Sequence, residues 1–188
     1  MSRSFVLTIT DLHHRHDITK VLGDFLCESA SVCLNRHHSP PQIMSLVFEG
    51  DPYEHACSVI WIPPSAIVQR SHDEEYDTTE EGAYAVVLVA VEAYRGLIAV
   101  SRARRGTGAD FILKPGPLGA PESYPPDFEN AIRLEVSGVN DGPEREVQRR
   151  LATKVEQIRS GVSDLPGLAG VVGFRACIIA LESVEIKT

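Results

Sequence analysis

Residues 83–100 read AYAVVLVAVEAYRGLIAV, and only Glu92 and Arg95 interrupt their apolar character. A helix that is apolar around most of its circumference must be buried on more than one side. Asp77 opens this helix, with Glu80 three residues on in the spacing of a capping box. The pattern predicts that it runs to about Arg104. Its longest apolar run, AYAVVLVAV, falls well short of the ~18 residues that a membrane-crossing helix needs.

On the N-terminal side, SFVLTIT (4–10) alternates like a strand. Asp17 caps a helix over DITKVLGDFLCESASVCLNRHH (17–38), which SPP stops. QIMSLVFEG and HACSVIWIPP read as two strands of a hairpin joined by GDPYE, and SAIVQRSHDEEYD (65–77) as a polar loop. After the long helix come a strand (ADFILKP), a Pro/Gly-rich loop (GPLGAPESYPPD), a strand (NAIRLEVSG), a turn (VNDG), a helix from about Pro143 to Ser160, and one or two final strands. The predicted class is mixed α/β (α+β). Residues 77–188 run helix-strand-strand-helix-strand, and residues 1–76 add a strand, a helix and a hairpin packed on them as one compact unit.

The composition, 43% hydrophobic and 23% charged, is that of a globular chain rather than a disordered one. MSRSFVLTIT lacks the length and cleavage site of a signal peptide. Cys27, Cys33, Cys57 and Cys177 contain no C-x-x-C pair. Both features predict reduced thiols, a cytoplasmic location and no membrane partner. A net charge of −8 argues against general nucleic-acid binding, but the charge is uneven: residues 1–92 hold five Lys/Arg against fourteen Asp/Glu, and residues 93–160 hold eleven against nine.

Three acids stand in or next to that second segment. Glu92 lies among apolar residues, where an ionised carboxylate needs a partner; Arg95 is one available on the helix. Asp110 opens a strand, a position that acids fill as an edge device or a functional group. In AIRLEVSG, alternation puts Ile132, Leu134 and Val136 on one face and Arg133, Glu135 and Ser137 on the other. Glu135 is a surface residue if that face meets solvent, and a partner for Asp110 if it lines a cleft.

A helix with a Glu, a strand opened by an Asp and a following strand with a Glu resemble the core of the PD-(D/E)XK nuclease superfamily, the restriction-endonuclease-like fold, over roughly residues 77–183. In that family an Asp opens one strand and Glu-x-Lys lies on the next; GTGADF would supply Asp110 and LEVSG would supply Glu135. The resemblance implies Glu92, Asp110 and Glu135 as ligands of Mg2+ (or Mn2+), a bound water as nucleophile, and hydrolysis of a phosphodiester in nucleic acid, in a setting such as bacterial antiviral defence. Two positions after Glu135 the chain has Ser137, where the family has the lysine that orients the water and offsets phosphate charge. Some members move that lysine to the following helix, which makes Lys154 the candidate, on one helical face with Gln157; Lys114, on the Asp110 strand, is the second. The segments also look like a family of bacterial proteins that share GTG-x-D and RLEVSG, a likeness of domain rather than of reaction.

Arg102, Arg104 and Arg105 end the long helix in this reading, where cations suit the dipole. Just before a flexible Gly-Thr-Gly they would, with Lys114, also suit a nucleic-acid phosphate chain. Arg145, Arg149, Arg150 and Lys154 form a stripe on the next helix, tempered by Glu144, Glu146 and Glu156 into an ion-paired face. The alternative to a nuclease is a degenerate nuclease-fold subunit that serves as a protein-binding or assembly component. Its partner would be a protein of the same operon or a second copy of the chain, and Ser137 and the net charge favour it. His13, His14 and His16 with His37, His38, Cys27 and Cys33 invite a zinc reading, but the two histidine groups stand ~30 Å apart along a helix, so no shared zinc site is expected.

Overall fold

The computed structural model describes residues 1–104, 106–117 and 128–185. Among these, eight strands form one mixed sheet: β1 (Ser4–Thr8), β2 (Gln42–Phe48), β3 (His55–Ile60), β4 (Leu97–Arg102), β5 (Phe111–Pro115), β6 (Ile132–Val139), β7 (Gly167–Gly173) and β8 (Ile178–Val184). Their spatial order is β1-β3-β2-β8-β7-β6-β5-β4. β2 and β3 pair antiparallel, as the hairpin pattern predicts, and β2 joins β8 in parallel, so the N-terminal strands continue the same sheet.

The helices are α1 (Lys20–His37), the short α2 (Ala66–Ser71), α3 (Glu75–Arg95) and α4 (Glu144–Ser160). α3 lies between α1 and the sheet, touching β1, β4, β6 and β7, and this accounts for its apolar circumference: every residue from Gly82 to Val91 is buried. Gly82 sets the crossing with α1, since a Cβ there would come within 3.0 Å of the Ser29 carbonyl oxygen. α4 covers β6, β7 and β8 on the opposite face with Val147, Leu151, Val155 and Ile158. β7, pressed from both sides, is buried at all seven positions and shows no alternation. No helix among the described residues is long and apolar enough to cross a membrane.

Several boundaries differ from the sequence expectation. α3 stops at Gly96 rather than running to Arg104. Gly96 takes a left-handed conformation (φ 65°) and its N–H closes the helix on the carbonyls of Glu92 and Val91. LIAVSR then forms β4, so the order from α3 onward is helix, three strands, helix, two strands. Arg102 therefore ends a strand and Arg104 lies just beyond it, and neither has a helix dipole to complement. α3 is capped by Glu74, whose carboxylate accepts the Asp77 N–H at 2.6 Å, which leaves Glu80 free of a capping duty. Thr19 caps α1 in place of Asp17, and α2 occupies part of the segment read as a loop.

In the Gly-Thr-Gly loop between β4 and β5, Gly106 answers to its left-handed backbone (φ +88°), and Gly108 also to packing on α4. Gly108 (φ +64°) would place a Cβ 2.4 Å from the Gln157 carbonyl oxygen, and a Cβ on Gly161 would come 2.3 Å from the Thr107 carbonyl oxygen. Arg133, fully buried, donates to the carbonyls of Thr107 (2.6 Å) and Leu165 (3.0 Å) and ties this loop to the one entering β7.

Gly138 on β6 has a comparable role against α3, where a Cβ would lie 2.4 Å from the Thr79 carbonyl oxygen and 2.7 Å from its Cγ2. Gly138→Ala should therefore push α3 off the sheet at an overpacking cost of about 1–3 kcal/mol. Urea unfolding reads that loss; an unchanged midpoint would mean that α3 is not seated on β6 in this way.

Candidate functional site

Asp110, Glu135 of β6, Lys154 of α4 and Glu80 of α3 meet beside β5 and β6. Asp110 stands one residue before β5, between the strands on either side: its carbonyl accepts the Ala103 N–H at 2.9 Å and its N–H donates to the Leu134 carbonyl at 2.7 Å. Its carboxylate is pinned as well. One oxygen accepts the Tyr84 hydroxyl at 2.9 Å and the other the Val136 N–H at 2.8 Å. Arg102 stacks over the Tyr84 and Phe111 rings (5.1 and 4.6 Å to the centroids), covering this arrangement from the β4 side.

Glu135 comes from the face of β6 that looks toward α4, as the alternation of AIRLEVSG requires, and that face is not solvent: Glu135 and Ser137 are both buried. Lys154 answers it from α4, in line with the buried stripe of Val147, Leu151, Val155 and Ile158. The Lys154 ammonium lies 2.8 Å from Glu135 Oε1 and 3.9 Å from Glu80 Oε1. The carboxyls feel one another. Burial raises the Glu135 pKa above the usual carboxylate range and the Asp110 charge adds to this, against the Lys154 hydrogen bond. Burial likewise raises Glu80, with Lys154 opposing and Asp110 adding. Tyr84, lifted by burial and by Asp110, keeps its proton and acts as a donor.

Ser137 thus leaves no hole in the charge pattern, because the ammonium arrives from α4. Open clefts flank the cluster. One, of about 710 Å³, is lined by Asp110, Glu135, Arg102 and Gln157; the other by Glu80, Ser137, Arg145 and Arg150.

Glu92 does not join these acids, which corrects the expectation that it would. It lies twelve residues beyond Glu80 on α3, about 18 Å along the axis, and pairs with Arg15 at 2.8 Å. Glu80 takes its place in the cluster. The sequence did carry a signal for it: Glu80 and Tyr84 are four apart on one helical face, and both reach toward Asp110. Lys114 is also removed, since it lies four residues, about 13 Å, along β5 from Asp110 and pairs in register with Ile98. Arg104 is exposed beside the Gly-Thr-Gly loop, and Arg105 lies outside the described residues. On α4, Arg149 and Arg159 are held by Glu146 and Glu156 at 2.5 Å, the ion-paired face expected.

Beneath Glu92, His16 is fully buried. Its Nδ1 accepts the Ala99 N–H at 3.1 Å, and its Nε2 has no hydrogen-bond partner, with the Glu92 carboxylate at 3.6 Å and already engaged by Arg15. Burial, then the Arg15 charge, push its pKa from 6.5 down to about 4. The unfolded chain takes up a proton near pH 6.5 that the folded chain refuses until about 4. Stability should be full above pH 6.5 and fall by about 3 kcal/mol as the pH drops through this window. Urea unfolding across the window measures it; a His16→Asn variant with the same slope as the wild type would remove His16 as the cause.

Among the described residues, one group of three potential metal donors has its ligand atoms mutually within 4.8 Å, and it is Asp11, His13 and His14 rather than the acid cluster. His37 and His38 bond instead to Asn140 and to the Phe174 carbonyl. No family model, curated protein or solved structure matches this chain.

Proposed function

We propose that the protein is a metal-dependent phosphodiesterase that acts on nucleic acid, built on a restriction-endonuclease-like core that runs from α3 through β7. The observation that carries this reading is the meeting of Asp110, Glu135 and Lys154, with Glu80, at an open cleft beside β5 and β6. The connectivity supports it too: a helix, three strands paired antiparallel in sequence, a helix, and a fourth strand parallel to the third.

The donor set suits a hard divalent cation. It consists of carboxylate oxygens, and Asp110 spends only two of its roughly four lone-pair sites on Tyr84 and Val136. Asp110, Glu135 and Glu80 would hold Mg2+ or Mn2+, which would supply a bound water of lowered pKa and a polarised phosphate. Tyr84 and the Val136 N–H fix the Asp110 carboxylate. Lys154 keeps an ammonium beside Glu135, where it can offset phosphate charge. Arg102, Arg145 and Arg150 line the two clefts with positive charge, in a chain whose net charge is −8.

The second reading, a non-catalytic assembly subunit, is favoured by one observation: the Lys154 ammonium already stands between the two glutamates, where a cation would sit. Incubation of the untagged protein with single- and double-stranded DNA and with RNA, in Mg2+ or Mn2+, separates the two. The nuclease reading expects cleavage that a chelator stops. Intact substrates throughout would transfer the case to the assembly reading.

A further inference from the structure

We propose that Asp11, His13 and His14 form a separate binding site for a divalent cation of borderline softness, of the Zn2+ class. One ligand atom from each lies within 4.8 Å of the other two. Two imidazoles with one carboxylate are a donor set that suits Zn2+, Co2+ or Ni2+ better than Mg2+. Tetrahedral Zn2+ with bonds of about 2.0–2.1 Å spaces its ligand atoms roughly 3.4 Å apart, so small side-chain rotations close the set.

The turn that carries these residues is held in place from both sides. Leu12 and His16 are fully buried, and His16 and Asp17 are tied to Ala99 of β4 through the Ala99 N–H and carbonyl. On the other side α1 meets the turn at Gly23, where a Cβ would come 3.2 Å from His13 N and 3.5 Å from its Cβ. The donors stand on backbone that side-chain rotation alone need not disturb.

The donors are also not committed elsewhere. Asp11 occupies the N-cap position of the 3₁₀ turn (Leu12–His14), yet its carboxylate does not cap it. Its backbone is left-handed (φ 53°, ψ 35°), an uncommon conformation for a non-glycine residue and one found enriched at functional sites. His13 Nδ1 is buried without a hydrogen-bond partner, a costly state for a ring nitrogen and one that a cation would relieve. The adjacent cation, Arg15, turns its guanidinium to the carbonyls of Thr8 and Thr10 and to Glu92, so its charge is compensated away from the imidazoles. Three protein ligands leave the fourth position to water or an outside donor, the arrangement of an open rather than a closed site.

This site does not depend on the acid cluster, and its test is separable. Untagged protein is titrated with Co2+ while the visible absorption is followed, because tetrahedral Co2+ with nitrogen ligands absorbs far more strongly than six-coordinate Co2+ among oxygens. The expected result is one equivalent of the intense form, displaced by Zn2+. His14→Ala, at an exposed position that spares the fold, and Asp11→Asn should each weaken binding at least about tenfold, the lower end of what losing even a supporting contact costs a metal site. Asp110→Asn should leave it unchanged. An absent band in the wild type, or a band that survives His14→Ala and is lost in Asp110→Asn, overturns the proposal.

Discussion

Replacing Lys154 with methionine should cost the fold about 3–5 kcal/mol at neutral pH, the range for breaking a buried ion pair by removing one partner. The side chains of Lys154 and Glu135 are only 11% and 10% exposed, so water does little to screen the pair. Without the ammonium, Glu135 is left beside Asp110 and Glu80 with its pKa, already raised, driven higher still. A carboxyl whose folded pKa lies above its unfolded value favours the folded state as it takes up a proton, so the penalty should be greatest at high pH and shrink as the pH falls into the carboxylate range. Adding Glu135→Gln removes the stranded charge and should restore most of the loss, since a neutral pair of similar volume avoids the desolvation of two ions. Denaturant unfolding of the single and double variants at two pH values reads all of this. A double variant as unstable as the single one would show that Lys154 acts by packing.

Asp110→Asn should lower metal-dependent cleavage by at least about 10²–10³-fold in kcat, the scale on which loss of one preorganised electrostatic contact slows an enzyme. The substitution is nearly isosteric, and the asparagine carbonyl can still accept the Val136 N–H, so the fold should hold. Glu135→Gln and Glu80→Gln should fall in the same direction, because they remove charge from the same ion. Glu92→Gln is the control: it sits with Arg15 and His16, three turns of α3 away, and should leave kcat and KM within about twofold. Steady-state kinetics on one nucleic-acid substrate decides between these. If Glu92→Gln abolishes cleavage and Glu80→Gln does not, the glutamate of the cluster has been misassigned.

The contrast between those two glutamates shows what the sequence made legible. Alternation in AIRLEVSG assigns the face of Glu135 because a strand has a period of two and one wrong step exposes a buried set. Asp110 stands out because acids seldom open strands. The glutamate of α3 was not legible in the same way. Apolarity all round the helix erases the amphipathic phase that would have shown which carboxylate faces the sheet, and a helix start placed at Asp77 instead of Glu74 turned Glu80 into a cap. The end of α3 was missed for a related reason: LIAVSR is as apolar as the helix before it, so only Arg95-Gly96, a cation in the last turn followed by a left-handed glycine, marks the stop. Lys154 had its own signal, a cation at a core position of an otherwise ordinary amphipathic helix, which demands a buried acid. The juxtaposition of Asp11 with His13 and His14 has no spacing signature, because it depends on the left-handed backbone of Asp11 and the 3₁₀ turn after it.

Crystals grown with Mn2+ would reveal whether Asp110 and Glu135 share a cation, through the anomalous signal of the ion. A peak within about 2.1–2.3 Å of carboxylate oxygens of both Asp110 and Glu135 is expected, lost in Asp110→Asn. Crystals with no peak at that cleft, and with Lys154 still bridging Glu135 and Glu80 at saturating Mn2+, would contradict a shared cation.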